Sequence, residues 1–311
     1  VVARNVTGSA TLAGFVVQGW DASPSLNSGA DGRNSVAILI SNSGPGLTIT
    51  NNLIRGGRGG DGAPGNAGTS GGNGPAGSDG RDARECQSAS CAGESQTGGP
   101  PGVNSSCTGA NARPGATARG NQSNQDYQPP LGSDGLGGTN ARYSSANNPQ
   151  FAEFCKYDCT ILGELEGQDA DDGSVGSDGR GGQGCNSTQG RLSGDTWTSA
   201  SASAGAAGLV GRGGGGGGAG GSVINTNPTS CRVGNRVGDL GSTGGGGGAG
   251  GCGGAGGGPG GGGGGSFGIL LISSPAGAPQ ILANRVVRGA GGDGGSGGTG
   301  GDGGQGGQGG Q

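Results

Sequence analysis

Apolar residues in this chain gather in short stretches near its two ends, and the stretches repeat one pattern. Thr11-Leu12-Ala13-Gly14-Phe15-Val16-Val17-Gln18-Gly19 and Thr48-Ile49-Thr50-Asn51-Asn52-Leu53-Ile54-Arg55-Gly56 lie 37 residues apart, each apolar at its second, sixth and seventh positions and closed by glycine. A third copy stands far downstream, Ile281-Leu282-Ala283-Asn284-Arg285-Val286-Val287-Arg288-Gly289. The strand-like runs Ser35–Ile40 and Ser266–Leu271 precede the second and third copies. Both units therefore read strand, Ser/Pro/Gly turn, strand, Asn, strand, Gly, the succession of short strands and tight corners that one coil of a parallel β-helix requires. A plain antiparallel hairpin is the competing reading.

These units resemble coils of bacterial right-handed parallel β-helix repeat proteins over residues 1–56 and 266–289. The resemblance puts Asn51 and Asn284 at the solenoid corner where such proteins often carry Asn. If the second and third units are neighbours, everything between Gly56 and Gly265 is one excursion that leaves the coils and returns. Arg55 and Arg288 are then expected close together, where the chain departs.

Glycine takes over from apolar periodicity beyond Gly56. Every third residue from Gly56 to Gly80 is glycine, and the same period returns at 173–182, 205–220, 245–263 and 291–309. A polyproline II helix has three residues per turn, so this period leaves one edge bare for another backbone to approach. Such a helix makes no internal hydrogen bonds, and side-by-side packing would supply the missing partners. The glycines assigned to that packing are Gly56, Gly59, Gly62, Gly205, Gly208, Gly211, Gly245, Gly248, Gly251, Gly291, Gly294 and Gly297. Collagen is disfavoured because proline is scarce in the tracts; an unstructured linker is a further alternative. Glycine density places tract 56–80 at the rim and 213–221, 244–265 and 291–310 at the centre. The tract pattern is similar to springtail antifreeze proteins and mycobacterial PGRS domains, and bacterial β-helix proteins with Gly-rich insertions also supply the strands.

The expected fold is thus mostly irregular and polyproline II: a bundle of polyglycine II helices inserted in a short parallel β-helix (β-solenoid), stapled by disulfides. Its parts are β-helix coils at 1–56 plus 266–289, a polyglycine II bundle at 57–126 and 166–265 plus 290–311, and a small Cys/aromatic insertion at 127–165.

Composition points the same way. Of 311 residues 89 are glycine, and Leu, Ile, Val and Phe together number 42, too few for an ordinary core. Cys86, Cys91, Cys107, Cys155, Cys159, Cys185, Cys231 and Cys252 form an even set in a chain without His or a CxxC pair, which excludes the usual zinc sites and reads as disulfides made in an oxidising compartment. With no Met anywhere, Val1 reads as the start of a processed or trimmed product. No apolar run is long enough to span a membrane. The arginines are scattered among Asp and Gly at a net charge of −4, so no basic stripe offers itself to nucleic acid.

Candidate chemistry is sparse. The coils carry almost no acid, whereas polysaccharide-cleaving enzymes need facing carboxylates. The acidic run Glu164, Glu166, Asp169, Asp171 and Asp172 reads as a solvated face rather than a calcium site. A P-loop would need Gly-Lys-Ser/Thr, and the single Lys156 is not in one. No catalytic residue, cofactor or metal is expected. The expectation is an extracellular or cell-surface structural protein whose partner is itself, a homopolymer in a filament, sheath or surface layer, with Val1–Val6 and the end at Gln311 as intersubunit elements. The alternative is a binding module, an adhesin or ice-binding protein that applies a flat face to a surface glycan or ice.

Overall fold

The computed structural model of the protein describes residues 1–82, 84–85, 93–119, 176–184, 189–194, 196–219, 239–240, 242–272 and 277–311. Its strands are β1 (Val2–Arg4), β2 (Ala10–Ala13), β3 (Val16–Gln18), β4 (Ser35–Ser41), β5 (Leu47–Thr50), β6 (Leu53–Arg55), β7 (Arg84–Glu85), β8 (Ser95–Gln96) and β9 (Ala118–Arg119). They continue with β10 (Gly190–Ser193), β11 (Thr196–Ser199), β12 (Asp239–Leu240), β13 (Ser266–Ile272), β14 (Gln280–Leu282) and β15 (Arg285–Val287). The chain divides into two compact units, each gathered from three stretches.

Unit 1 comprises Val1–Gly68, Arg180–Ala206 and Gly256–Gly300. Three parallel sheets share it, in the orders β1-β4-β13, β2-β5-β14 and β3-β6-β15. Thr11 pairs with Thr48 and Val16 with Leu53, the 37-residue offset of the repeat, while β13 returns to β4 with Ser266 opposite Ser35. Alternation of the side chains turns Ile38, Ile40, Ile49 and Ile54 inward, all at most 1% exposed, and Val17, Ala37 and Leu47 complete the cluster. Burying each isoleucine is worth roughly 1.5–3 kcal/mol. An antiparallel hairpin, β10-β11, belongs to the same unit.

The expected fold class needs correction at this point. Among the described residues there is no α-, 3-10 or π-helix, and the glycine tracts carry no regular element of their own. The described strands fall into six separate small sheets, none of which closes on itself or runs on as a solenoid. The physical reason is that the strands of the three parallel sheets are only three to seven residues long and several end in residues with positive φ: Asn5 (55°), Gly14 (77°), Asn42 (48°), Asn51 (56°) and Ala283 (49°). Each such corner takes the backbone out of the β region and stops the ladder.

Unit 2, Thr69–Gly179, Ala207–Ala255 and Gly301–Gln311, has among its described residues only the two-residue pairings β7-β12 and β8-β9. Its order comes from glycine tracts bonded tract to tract with a period of three. Gly246, Ala249 and Cys252 donate to the carbonyls of Ser78, Pro75 and Gly72 at 2.8, 2.9 and 2.8 Å. Gly304, Gly307 and Gly310 donate to Cys252, Ala249 and Gly246 at 2.8, 2.7 and 2.8 Å. Residues 243–252 are buried without a break, and this tract is the interior of unit 2. Tract 291–310, placed at the centre by its glycine density, instead leaves Asp293, Ser296, Thr299, Asp302, Gln305 and Gln308 exposed.

Candidate functional site

The glycines singled out by period divide into donors and acceptors. In unit 1, Gly56, Gly59 and Gly62 donate to Val287, Ala290 and Asp293 at 2.9, 2.9 and 2.8 Å, and Gly205 donates to Gly257 at 2.8 Å. In unit 2, Gly208 and Gly211 donate to Gly254 and Gly251 at 2.7 and 2.8 Å, while Gly245 and Gly248 accept from Gly217 and Gly214 at 2.8 and 2.9 Å. Gly291 and Gly294 are exposed. The donors of their tract are one residue on: Gly292, Gly295 and Gly298 bond to Gly264, Gly261 and Gly258 at 2.9, 2.7 and 2.9 Å. Gly297 faces another neighbour, since a Cβ there would run into the Gly182 carbonyl. The same holds for Gly248 against Gly307 and Gly251 against Gly304.

Among the described residues one disulfide joins the tracts, Cys107–Cys252, across 145 residues of chain. Cys86, Cys91, Cys155, Cys159, Cys185 and Cys231 lie outside the described residues, as do the 127–165 insertion and the acidic run at 164–172.

The two corner asparagines have different surroundings. Asn51 is an exposed turn residue. Asn284 lies in register not with Asn51 but with Asn52, since Arg285 pairs with Leu53 and Leu282 with Thr50. Asn52, 3% exposed, accepts the Phe15 N–H through Oδ1 at 2.9 Å and donates through Nδ2 to the Leu12 carbonyl at 2.9 Å. Asn284 Oδ1 in turn accepts the Asn52 backbone N–H at 3.0 Å and its Nδ2 at 2.9 Å, and Asn284 Nδ2 donates to Ile49 O at 2.7 Å. The pair satisfies backbone groups that the corners leave without ladder partners.

Sequence reasoning missed a second set of polar residues. Asp21, Asp31, Asn34 and Asp61 each accept a backbone N–H from a neighbouring passage of unit 1, from Arg58, Gly262, Gly265 and Asp293 at 2.7, 2.7, 2.7 and 2.8 Å. Asn73, Asp79 and Asp178 do the same in unit 2, for Gln305, Gln311 and Gly303 at 2.9, 3.1 and 2.8 Å. The signal lay in spacing: Asp61–Asp293, Asn73–Gln305, Asp79–Gln311 and Asn52–Asn284 are all 232 residues apart. Arg58 adds ion pairs to Asp61 (2.8 Å) and Asp293 (3.0 Å). The hydrogen bond from Arg58 holds the Asp61 carboxyl below its ordinary value, and that bond likewise raises Arg58.

The open feature of unit 1 is a sheet edge. β13, β14 and β15 each end their sheet, and they expose Leu271, Ile281, Leu282, Val286 and Val287 by 36% to 55%. Among the described residues no helix is long and apolar enough to cross a membrane. Compared with family models, curated proteins and solved structures, the chain matches none.

Proposed function

We propose that this chain is an extracellular structural protein that associates with further copies of itself as the subunit of a filament, sheath or surface layer. The observation that carries this reading is the β13–β15 edge: three strands without an outer partner among the described residues, bearing five exposed apolar side chains. An unpaired strand edge is a template for another strand, and a cluster of exposed apolar side chains favours a protein partner over water. The Cys107–Cys252 bridge supports an oxidising compartment, where such bonds persist. A backbone-packed unit suits a load-bearing part rather than a catalyst, and we assign it no reaction, cofactor or nucleic-acid partner.

The test is sedimentation and negative-stain electron microscopy of the oxidised chain over a concentration series. Polymers that grow with concentration, and that are lost when Leu282→Lys and Val286→Lys are combined, are the expected result. A chain that stays monomeric at the highest concentration overturns the proposal.

A further inference from the structure

We infer that unit 1 holds a saccharide-binding groove beside the β10-β11 hairpin, in which a neutral sugar ring stacks on Trp197. The groove encloses about 370 Å³, within the range of small-molecule sites. Val36, Leu39 and Leu270 supply apolar lining, and Asp31, Arg33 and Trp197 supply the chemistry. This combination matches a pyranose, which has an apolar C–H face for an aromatic ring and a rim of hydroxyls for charged groups.

The indole is fixed before any ligand arrives. The Trp197 carbonyl accepts the Asn34 side-chain amide at 2.7 Å, and its ring meets Phe267 edge to face, with centroids 6.0 Å apart at 63°. Gly190 and Gly265 make room for it; a Cβ at Gly190 would run into the ring. Trp197 nevertheless remains half-buried rather than covered. A rigid aromatic surface loses little on binding.

The polar groups are similarly held and unspent. Asp31 anchors Oδ1 on the Gly262 N–H at 2.7 Å and has no partner on Oδ2 among the described residues. Arg33 is exposed and pairs with no carboxylate among those residues. A carboxylate oxygen accepts from a sugar hydroxyl while a guanidinium donates to its neighbour, and both bonds are charge-assisted. One negative and one positive group balance, which favours a neutral sugar over a phosphate or an acidic one. Ser199, whose buried hydroxyl has no hydrogen-bond partner among the described residues, is another lining residue.

This inference does not rest on self-association. The chain has two tryptophans, so Trp20→Phe leaves Trp197 as the sole reporter. Its fluorescence is titrated with maltotriose, cellotriose, chitotriose and mannotriose. At least one of them is expected to give a saturable change, and its affinity should fall about tenfold or more in Asp31→Asn and in Arg33→Ala. Both replaced side chains are exposed, and unchanged Trp197 emission without sugar shows that the groove is intact. No saturable change with any of the four sugars, or undiminished affinity in both variants, overturns the inference.

Discussion

Ile54 and Gly251 are both interior residues, but they stabilise their units by opposite means. Ile54 fills space with a side chain, among Val17, Ile38, Ile40 and Ile49. Gly251 provides the absence of one, so that the Gly211 N–H reaches its carbonyl at 2.8 Å and the Gly304 backbone lies where a Cβ would be. In the first case stability scales with apolar area removed from water. In the second it comes from hydrogen-bond satisfaction in an interior nearly free of side chains, which tolerates no added atom. A core of either kind forms from a chain poor in large apolar residues because only unit 1 needs them.

The largest effect is therefore expected from adding bulk where there is none. Gly251→Val puts three carbons against main chain that cannot rotate away, and the cost should reach about 4 kcal/mol or more, the upper tail for a single substitution. Hydrogen exchange should show loss of protection in residues 301–311 and 208–217 while the β4 and β5 amides stay protected. Protection retained throughout would mean that the tracts are not backbone-packed.

The mirror experiment removes bulk where it is needed. Ile54→Ala in β6 should cost about 3–4 kcal/mol, read by thermal or denaturant unfolding, as transfer and cavity terms add. Here the exchange pattern should invert, with β4, β5 and β6 exposed first. A cost under 1 kcal/mol would show that the isoleucine cluster is not what holds unit 1.

How far the chain's letters announce these two interiors depends on what carries the information. The 37-residue repeat was legible because Leu12 and Ile49, or Val17 and Ile54, are side chains with a pattern. The third copy was legible in kind but one residue out of register. Alignment on the closing glycine set Asn284 against Asn51, whereas Ala283 takes the left-handed turn and Asn284 joins Asn52. An alanine at positive φ has no sequence signature. Tract partners were illegible for a deeper reason: Gly248 and Gly294 are the same residue, one buried and one exposed, and only neighbours elsewhere in the chain distinguish them. The Asp and Asn side chains that accept tract N–H groups carry no local sign of that role, because their partners lie up to 232 residues away.

A covalent tie separates the units less sharply. Cys107–Cys252 closes a loop of 145 residues within unit 2, and Cys107→Ser with Cys252→Ser should lower its stability by about 2–3 kcal/mol through the entropy of the unfolded chain. Unit 1, which holds neither cysteine, should keep its exchange protection. Equal loss in both would remove the distinction drawn between them.

The smallest effect tests the rim of unit 1. Asp61 is held below its ordinary carboxyl value of 3.8 chiefly by the hydrogen bond from Arg58. A carboxyl lowered in the folded state stabilises it above the ordinary value, and that contribution disappears as pH falls through the lower, folded one. Asp61→Asn keeps an oxygen for the Asp293 N–H while removing the charge, so the variant should be slightly less stable than the parent at pH 6 and match it in strong acid. The difference should shrink in high salt, because the Arg58 and Asp61 side chains are well exposed and their attraction is screened. A gap between the two proteins that persists unchanged into strong acid would assign the role of Asp61 to packing of its passage against Asp293 instead of to charge, and would bring this rim position closer to the glycine interior than to the ion pairs.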